Sequence, residues 1–144
     1  MVSSQAWAQH QVSTGRTPIY TAYMDRTQPK ETIRRPSPYG TMTPHSAEIS
    51  YVFGTLDVRS SSYAEEDRAI SDMLTAYWVN FAAGGDPNGE GLPVWTPYTK
   101  ERPLTLHIGD DGICLENVVK SREEQRVQDY TKAHPGMLCS LEGF

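Results

Sequence analysis

The chain has 144 residues, 38% of them hydrophobic, and its 13 Lys and Arg against 18 Asp and Glu give a net charge of −5, with a pI near 5.3. These values suit one ordinary soluble domain or part of one. They exclude a basic nucleic-acid binder, because no cationic stripe faces phosphates and the Arg34-Arg35 pair is too short to make one.

No apolar run reaches the roughly 18 residues of a membrane span, and no basic start followed by an apolar stretch marks a signal peptide. A start internal to a longer chain would leave any targeting segment upstream, so the compartment is open. Cys114 and Cys139 have no metal-binding spacing and read as free thiols rather than a bridge.

In chain order, Ser3 or Ser4 can cap a short helix carrying Ala6, Trp7 and His10, which Gly15 would end by taking a left-handed conformation. Ile19 to Met24, apolar, aromatic and β-branched, reads as a strand buried on both faces. From Arg26 to Pro44 the composition turns to Thr, Pro, Arg, Ser and Gly, and four prolines break any regular element. A connection of this length inside a domain is usually functional. It ends at His45.

The clearest helix lies downstream. Ser62-x-x-Glu65 is a capping-box pattern, and Ile70, Met73, Leu74, Tyr77, Trp78 and Phe81 recur every three or four residues, which places them on one face as core. Gly84-Gly85 ends it, and Asp86-Pro87-Asn88-Gly89 reads as a turn with Asn-Gly at positive φ. After the extended aromatic stretch Leu92 to Tyr98, Leu104 to Ile108 reads as an edge strand pairing with Ile113 to Leu115 across Gly109-Asp110-Asp111-Gly112. Ser121-x-x-Glu124 caps a final polar helix, and residues beyond Pro135 read as a frayed tail.

Chemistry is concentrated at Pro44-His45-Ser46-Ala47-Glu48-Ile49-Ser50-Tyr51-Val52-Phe53-Gly54. A histidine at the end of a long loop is a candidate proton carrier, since loops on a scaffold hold catalytic groups and imidazole titrates near neutrality. The stretch His45-x-x-Glu48-Ile49-x-Tyr51-Val52-Phe53-Gly54 resembles the histidine-bearing segment of type B carboxylesterases, the cholinesterase-like branch of the α/β-hydrolases. Trp7-Ala8 and Pro18 to Arg26 upstream are similar to that family too. So, downstream, are Glu66-Asp67, Ser71, Tyr77-Trp78-x-Asn80-Phe81, Gly85-Asp86-Pro87-Asn88 and Leu92-Pro93-x-Trp95-x-Pro97-Tyr98, all in the family's order. Thr96 stands where the family usually has a proline.

The resemblance implies an α/β class: the C-terminal part of an α/β-hydrolase fold, late sheet strands plus packing helices, incomplete on its own. Residues 1–135 would form this segment and 136–144 a disordered tail. It implies hydrolysis of a carboxylic ester through an acyl-serine, with no cofactor and no metal. His45 would be the general acid and base, the third member of a Ser-acid-His order. The serine and acid would lie upstream, since no Gly-x-Ser-x-Gly elbow occurs in the chain. The implied partners are a small ester and the missing N-terminal part of the domain. Glu48 matches a structural carboxylate rather than the triad acid.

Other candidates have plainer readings. Ser60-Ser61-Ser62 suit capping. His10, His107 and His134 stand singly, without metal spacing or an acidic partner nearby in sequence, and Asp110-Asp111 lacks the remaining ligands of a calcium loop. The alternatives from another class are a non-catalytic interaction module, as in neuroligin-like members, and an inactive remnant.

Overall fold

The computed structural model describes residues 2–30, 43–60, 62–117 and 133. The expected Ser121 helix, the tail beyond Pro135, His134 and Cys139 lie outside the described residues. The elements are α1 (Val2–Thr14), β1 (Ala22–Met24), α2 (Glu48–Val52), α3 (Leu56–Arg59), α4 (Glu65–Gly84), β2 (Leu104–Gly109) and β3 (Gly112–Asn117).

Helix α1 starts at Val2, so the serines expected to cap it are already helical. Its last turn weakens itself, because the hydroxyls of Ser13 and Thr14 donate back to the carbonyls of Gln9 and His10. Gly15 comes next without a positive φ. The glycine is required for room instead, since a Cβ there would lie 2.7 Å from the Gln11 carbonyl oxygen.

The sheet runs β1-β2-β3, with β1 parallel to β2 and β2 antiparallel to β3. Parallel neighbours need a long crossover, and α2, α3 and α4 all lie in it. Strand β1 is shorter than the hydrophobic run suggests: Ala22 is exposed and Tyr23 and Met24 only half-buried. Among the described residues it pairs on one side only, so the strand expected to be buried on both faces is here a sheet edge. The edge role expected for Leu104 to Ile108 is likewise reversed. Strand β2 is central, and Leu106 and Ile108 are buried on the α4 side.

The hairpin forms as its glycines indicate, with Gly109 opposite Gly112 and Gly112 at φ +107° closing the tight Asp110-Asp111 turn. The Asp110 carboxylate also takes the Thr27 N–H at 2.7 Å and the Thr27 hydroxyl at 2.8 Å, which ties the turn to the chain leaving β1.

Helix α4 begins at Glu65 with Ala64 as N-cap, not at Ser62. The Asp67 carboxylate reaches back to the Ala64 N–H at 2.8 Å, one half of a capping box. Gly85, left-handed at φ +76°, donates its N–H to Phe81 at 2.7 Å and ends the helix. Of the predicted face, Ile70, Leu74 and Tyr77 are buried and Met73 packs beside them. With Tyr51, Leu56, Trp95, Leu106 and Ile108 they form the core between α4 and the sheet. Each aliphatic side chain among them contributes up to roughly 1.5–3 kcal/mol by leaving water.

The turn after α4 is built differently from expectation. Neither Asn88 nor Gly89 has a positive φ. Side chains hold it: Asp86 accepts the Asn88 N–H, and the Asn88 amide brackets the backbone of Trp95 at 2.7 and 2.9 Å.

Candidate functional site

His45 sits in the turn that enters α2, exposed to solvent. The backbone around it is tightly wound. Ala47 donates to the Pro44 carbonyl at 3.2 Å, and Ser46 has φ +65°, the one non-glycine residue with positive φ among the described residues. A left-handed serine is unfavourable on its own. Packing on its C-terminal side holds it there, because Ala47 is buried and α2 is clamped onto α4. The Tyr51 carbonyl accepts the Ser71 hydroxyl at 2.7 Å and the Thr75 hydroxyl at 3.3 Å, while the Thr75 hydroxyl also reaches Val52 O at 3.0 Å.

Beneath this turn lies a buried polar network. Arg26, just past β1, donates from Nε to Asp67 Oδ1 at 2.6 Å and from Nη1 to the Gly109 carbonyl at 3.2 Å. The Tyr51 hydroxyl donates to the same Asp67 oxygen at 2.8 Å, and Gln28 links Tyr51 and Tyr63. Burial pushes the Asp67 carboxyl up, but Arg26, Tyr51 and the Ala64 N–H outweigh it and hold Asp67 below the usual carboxylate range. Burial, then the Asp67 carboxylate, raises the Tyr51 phenol. Thr43 donates to the Arg26 carbonyl at 3.0 Å, so the chain arriving at His45 is fastened to the same point where the chain leaves β1.

Glu48, expected as the structural carboxylate, is exposed in the first turn of α2. Asp67 is the buried carboxylate of this region, held by Arg26, Tyr51 and the Ala64 N–H. The structure does not bring Glu48 into a hydrogen bond with His45, and among the described residues no side-chain bond to the His45 imidazole forms. Ser60 is also plain: its hydroxyl accepts the Ser62 N–H in a turn.

Trp78 and Phe81, expected in the core, are 40% and 49% exposed. With Trp7, Tyr20 and Trp95 they line an open, mostly apolar cavity of about 850 Å³, which His45 does not border. Tyr20 meets Phe81 and Trp95 edge-on, with ring centroids 5.9 and 5.6 Å apart.

A second polar cluster lies on the sheet face turned away from α4. His107 Nε2 is 2.6 Å from Asp25 Oδ1 and its Nδ1 is 3.3 Å from Glu116 Oε1. The Tyr23 ring stacks on the imidazole at 4.4 Å, and its hydroxyl donates to Glu116. Cys114, a free and exposed thiol, is paired with His107 across the hairpin.

The family model described as Carboxylesterase family matches residues 1–129. The chain belongs to the carboxylesterase family. It is 35% identical over 112 residues to Carboxylesterase 5A of Canis lupus familiaris, covering 74% of this chain and 19% of that one. To Bile salt-activated lipase of Mus musculus it is 45% identical over 67 residues, 44% of this chain and 11% of the lipase. The carboxylesterase-family chain thus spans about a fifth or less of the length of these curated relatives. Among solved structures, a thermophilic PNB esterase superposes with TM-score 0.64 at 24% identity, over 85% of this chain and 24% of that one. A second PNB esterase gives 0.60 at 25% identity. The fold is that of part of an α/β-hydrolase.

Within this family the motif residues have legible structural duties. Asp67 and Ser71 bind α4 to the end of β1 and to α2, Tyr77 binds it to the segment after it, Asp86, Asn88 and Trp95 hold the turn of that segment, and Gly85 ends the helix. The described residues that could hold a metal are His107, Cys114 and Glu116, whose donor atoms lie within 4.8 Å of one another. These three meet through the antiparallel pairing of β2 with β3, which sets Cys114 opposite His107 and Glu116 two residues further on the same face, whereas Asp25, 82 residues from His107, joins them only through the parallel pairing of β1 with β2.

Proposed function

We propose that this chain supplies the histidine of a serine-dependent carboxylesterase, with His45 as general acid and base. The observation that carries the proposal is the fastening of the His45 turn to the end of β1 through Thr43, Arg26, Asp67 and Tyr51, in a chain of the carboxylesterase family. A proton carrier must return to the same place in each half of the reaction, and a turn wound between a buried ion pair and two packed helices offers that constancy.

In the reaction, a serine from the remainder of the domain attacks the ester carbonyl while His45 takes its proton. His45 then gives that proton to the departing alcohol, leaving an acyl-serine. Water attacks the acyl-serine, His45 accepts a proton from it, and the proton passes to the serine oxygen as the acid is released. An acid from the remainder of the domain orients the imidazole. The substrate class is a carboxylic ester, in keeping with the names of the relatives.

The test is a chimera in which residues 1–129 replace the matching segment of the PNB esterase. The folded chimera should hydrolyse a short-chain p-nitrophenyl ester and react with a fluorophosphonate at the host serine. A folded chimera with no turnover and no labelling would contradict the proposal.

A further inference from the structure

We propose that His107, Cys114 and Glu116 form a three-ligand site for a zinc-class divalent metal ion on the sheet face opposite α4. Imidazole nitrogen, thiolate and carboxylate oxygen are the donors that a borderline-soft ion such as Zn²⁺ takes in tetrahedral sites. Their ligand atoms all lie within 4.8 Å of one another. The 3.3 Å between His107 Nδ1 and Glu116 Oε1 matches the edge of a tetrahedron with metal bonds of about 2.0–2.1 Å, which is about 3.3–3.4 Å.

The surroundings support the same assignment. Asp25 engages His107 Nε2 at 2.6 Å, so in the neutral ring the proton sits on Nε2 and the lone pair of Nδ1 faces Glu116 and Cys114. A carboxylate behind a ligating histidine is the usual outer partner of such a site, and the Tyr23 hydroxyl plays that part for Glu116. The stacked Tyr23 ring fixes the imidazole plane. Cys114 and His107 are held opposite each other by the hairpin register, so the ion would clip β2 to β3 and, through Asp25, to the end of β1. Binding exchanges the thiol proton of Cys114 for the metal, and three protein ligands leave a fourth position for water.

The alternative is a metal-free arrangement in which a protonated His107 bridges Asp25 and Glu116. Titration of the reduced full chain with Co²⁺ near neutral pH separates the two. One equivalent should bind with a thiolate-to-metal absorption band, and Zn²⁺ should displace it. The band should vanish in Cys114→Ser, a substitution at an exposed position, and persist in Cys139→Ser. Asp25→Asn should keep the band but weaken binding about 10- to 100-fold. Absence of a band in the wild type, its survival in Cys114→Ser, its loss in Cys139→Ser, or unchanged affinity in Asp25→Asn would each overturn the assignment.

Discussion

Arg26 and Asp67 meet at 2.6 Å with side chains only 10% and 8% exposed, and this pair joins the end of β1 to the first turn of α4 beneath the His45 turn. Removing one member leaves the other charged and buried, which costs about 3–5 kcal/mol. Asp67→Ala should therefore show a loss of that size in urea unfolding, and the double variant Arg26→Met, Asp67→Leu should lose less. A loss of under about 1 kcal/mol in Asp67→Ala would show that water reaches the pair freely.

The same carboxylate sets the acid response. Its folded pKa is depressed, so the unfolded chain binds the proton more readily and Asp67 contributes stability above the unfolded value of 3.8 that is lost as the pH falls through the folded one. Asp86, held low first by the Asn88 N–H, and Asp110, held low first by the Thr27 N–H, act in the same direction. Thermal midpoints should fall progressively below about pH 5. In Asp67→Asn the midpoint starts lower at neutral pH and declines less steeply. Parallel curves for the two proteins would contradict the assignment.

Two buried tyrosines separate a charged from a neutral acceptor. Tyr51 donates to the Asp67 carboxylate at 2.8 Å, whereas Tyr77 donates to the Pro93 carbonyl at 2.5 Å. Tyr51→Phe should cost about 1.5–3 kcal/mol and Tyr77→Phe about 0.5–1.5 kcal/mol. Chemical denaturation of the pair checks the order, and the reverse order would show that the network under His45 is not the stronger anchor.

The residues announce whatever depends on near neighbours. The three-and-four spacing from Ile70 to Phe81 marks α4, Gly85 its end, and Gly109 and Gly112 the hairpin. The limits lie where burial depends on what a face meets. Trp78 and Phe81 share the stripe of Leu74 but line the cavity, because the described chain covers them only in part, with Trp95 against Trp78 and Tyr20 against Phe81. The polar clusters were hidden for another reason. Arg26 finds Asp67 across 41 residues and Asp25 finds His107 across 82, and only the parallel register of β1 on β2 brings the second pair together. His45 was visible through its motif, while the duties of the motif's other members as clamps became visible only with their partners.

The most direct measurement is ester turnover of the PNB esterase chimera carrying His45→Gln, beside the unaltered chimera and Glu48→Gln, with near-ultraviolet circular dichroism as a check on folding. Loss of a triad histidine costs about 10⁴-fold or more. A fall of that order is expected in His45→Gln, with fluorophosphonate labelling of the host serine slowed in parallel, and little change in Glu48→Gln, whose side chain is exposed. A folded His45→Gln chimera that turns over ester at the unaltered rate would contradict the role of His45 as general acid and base.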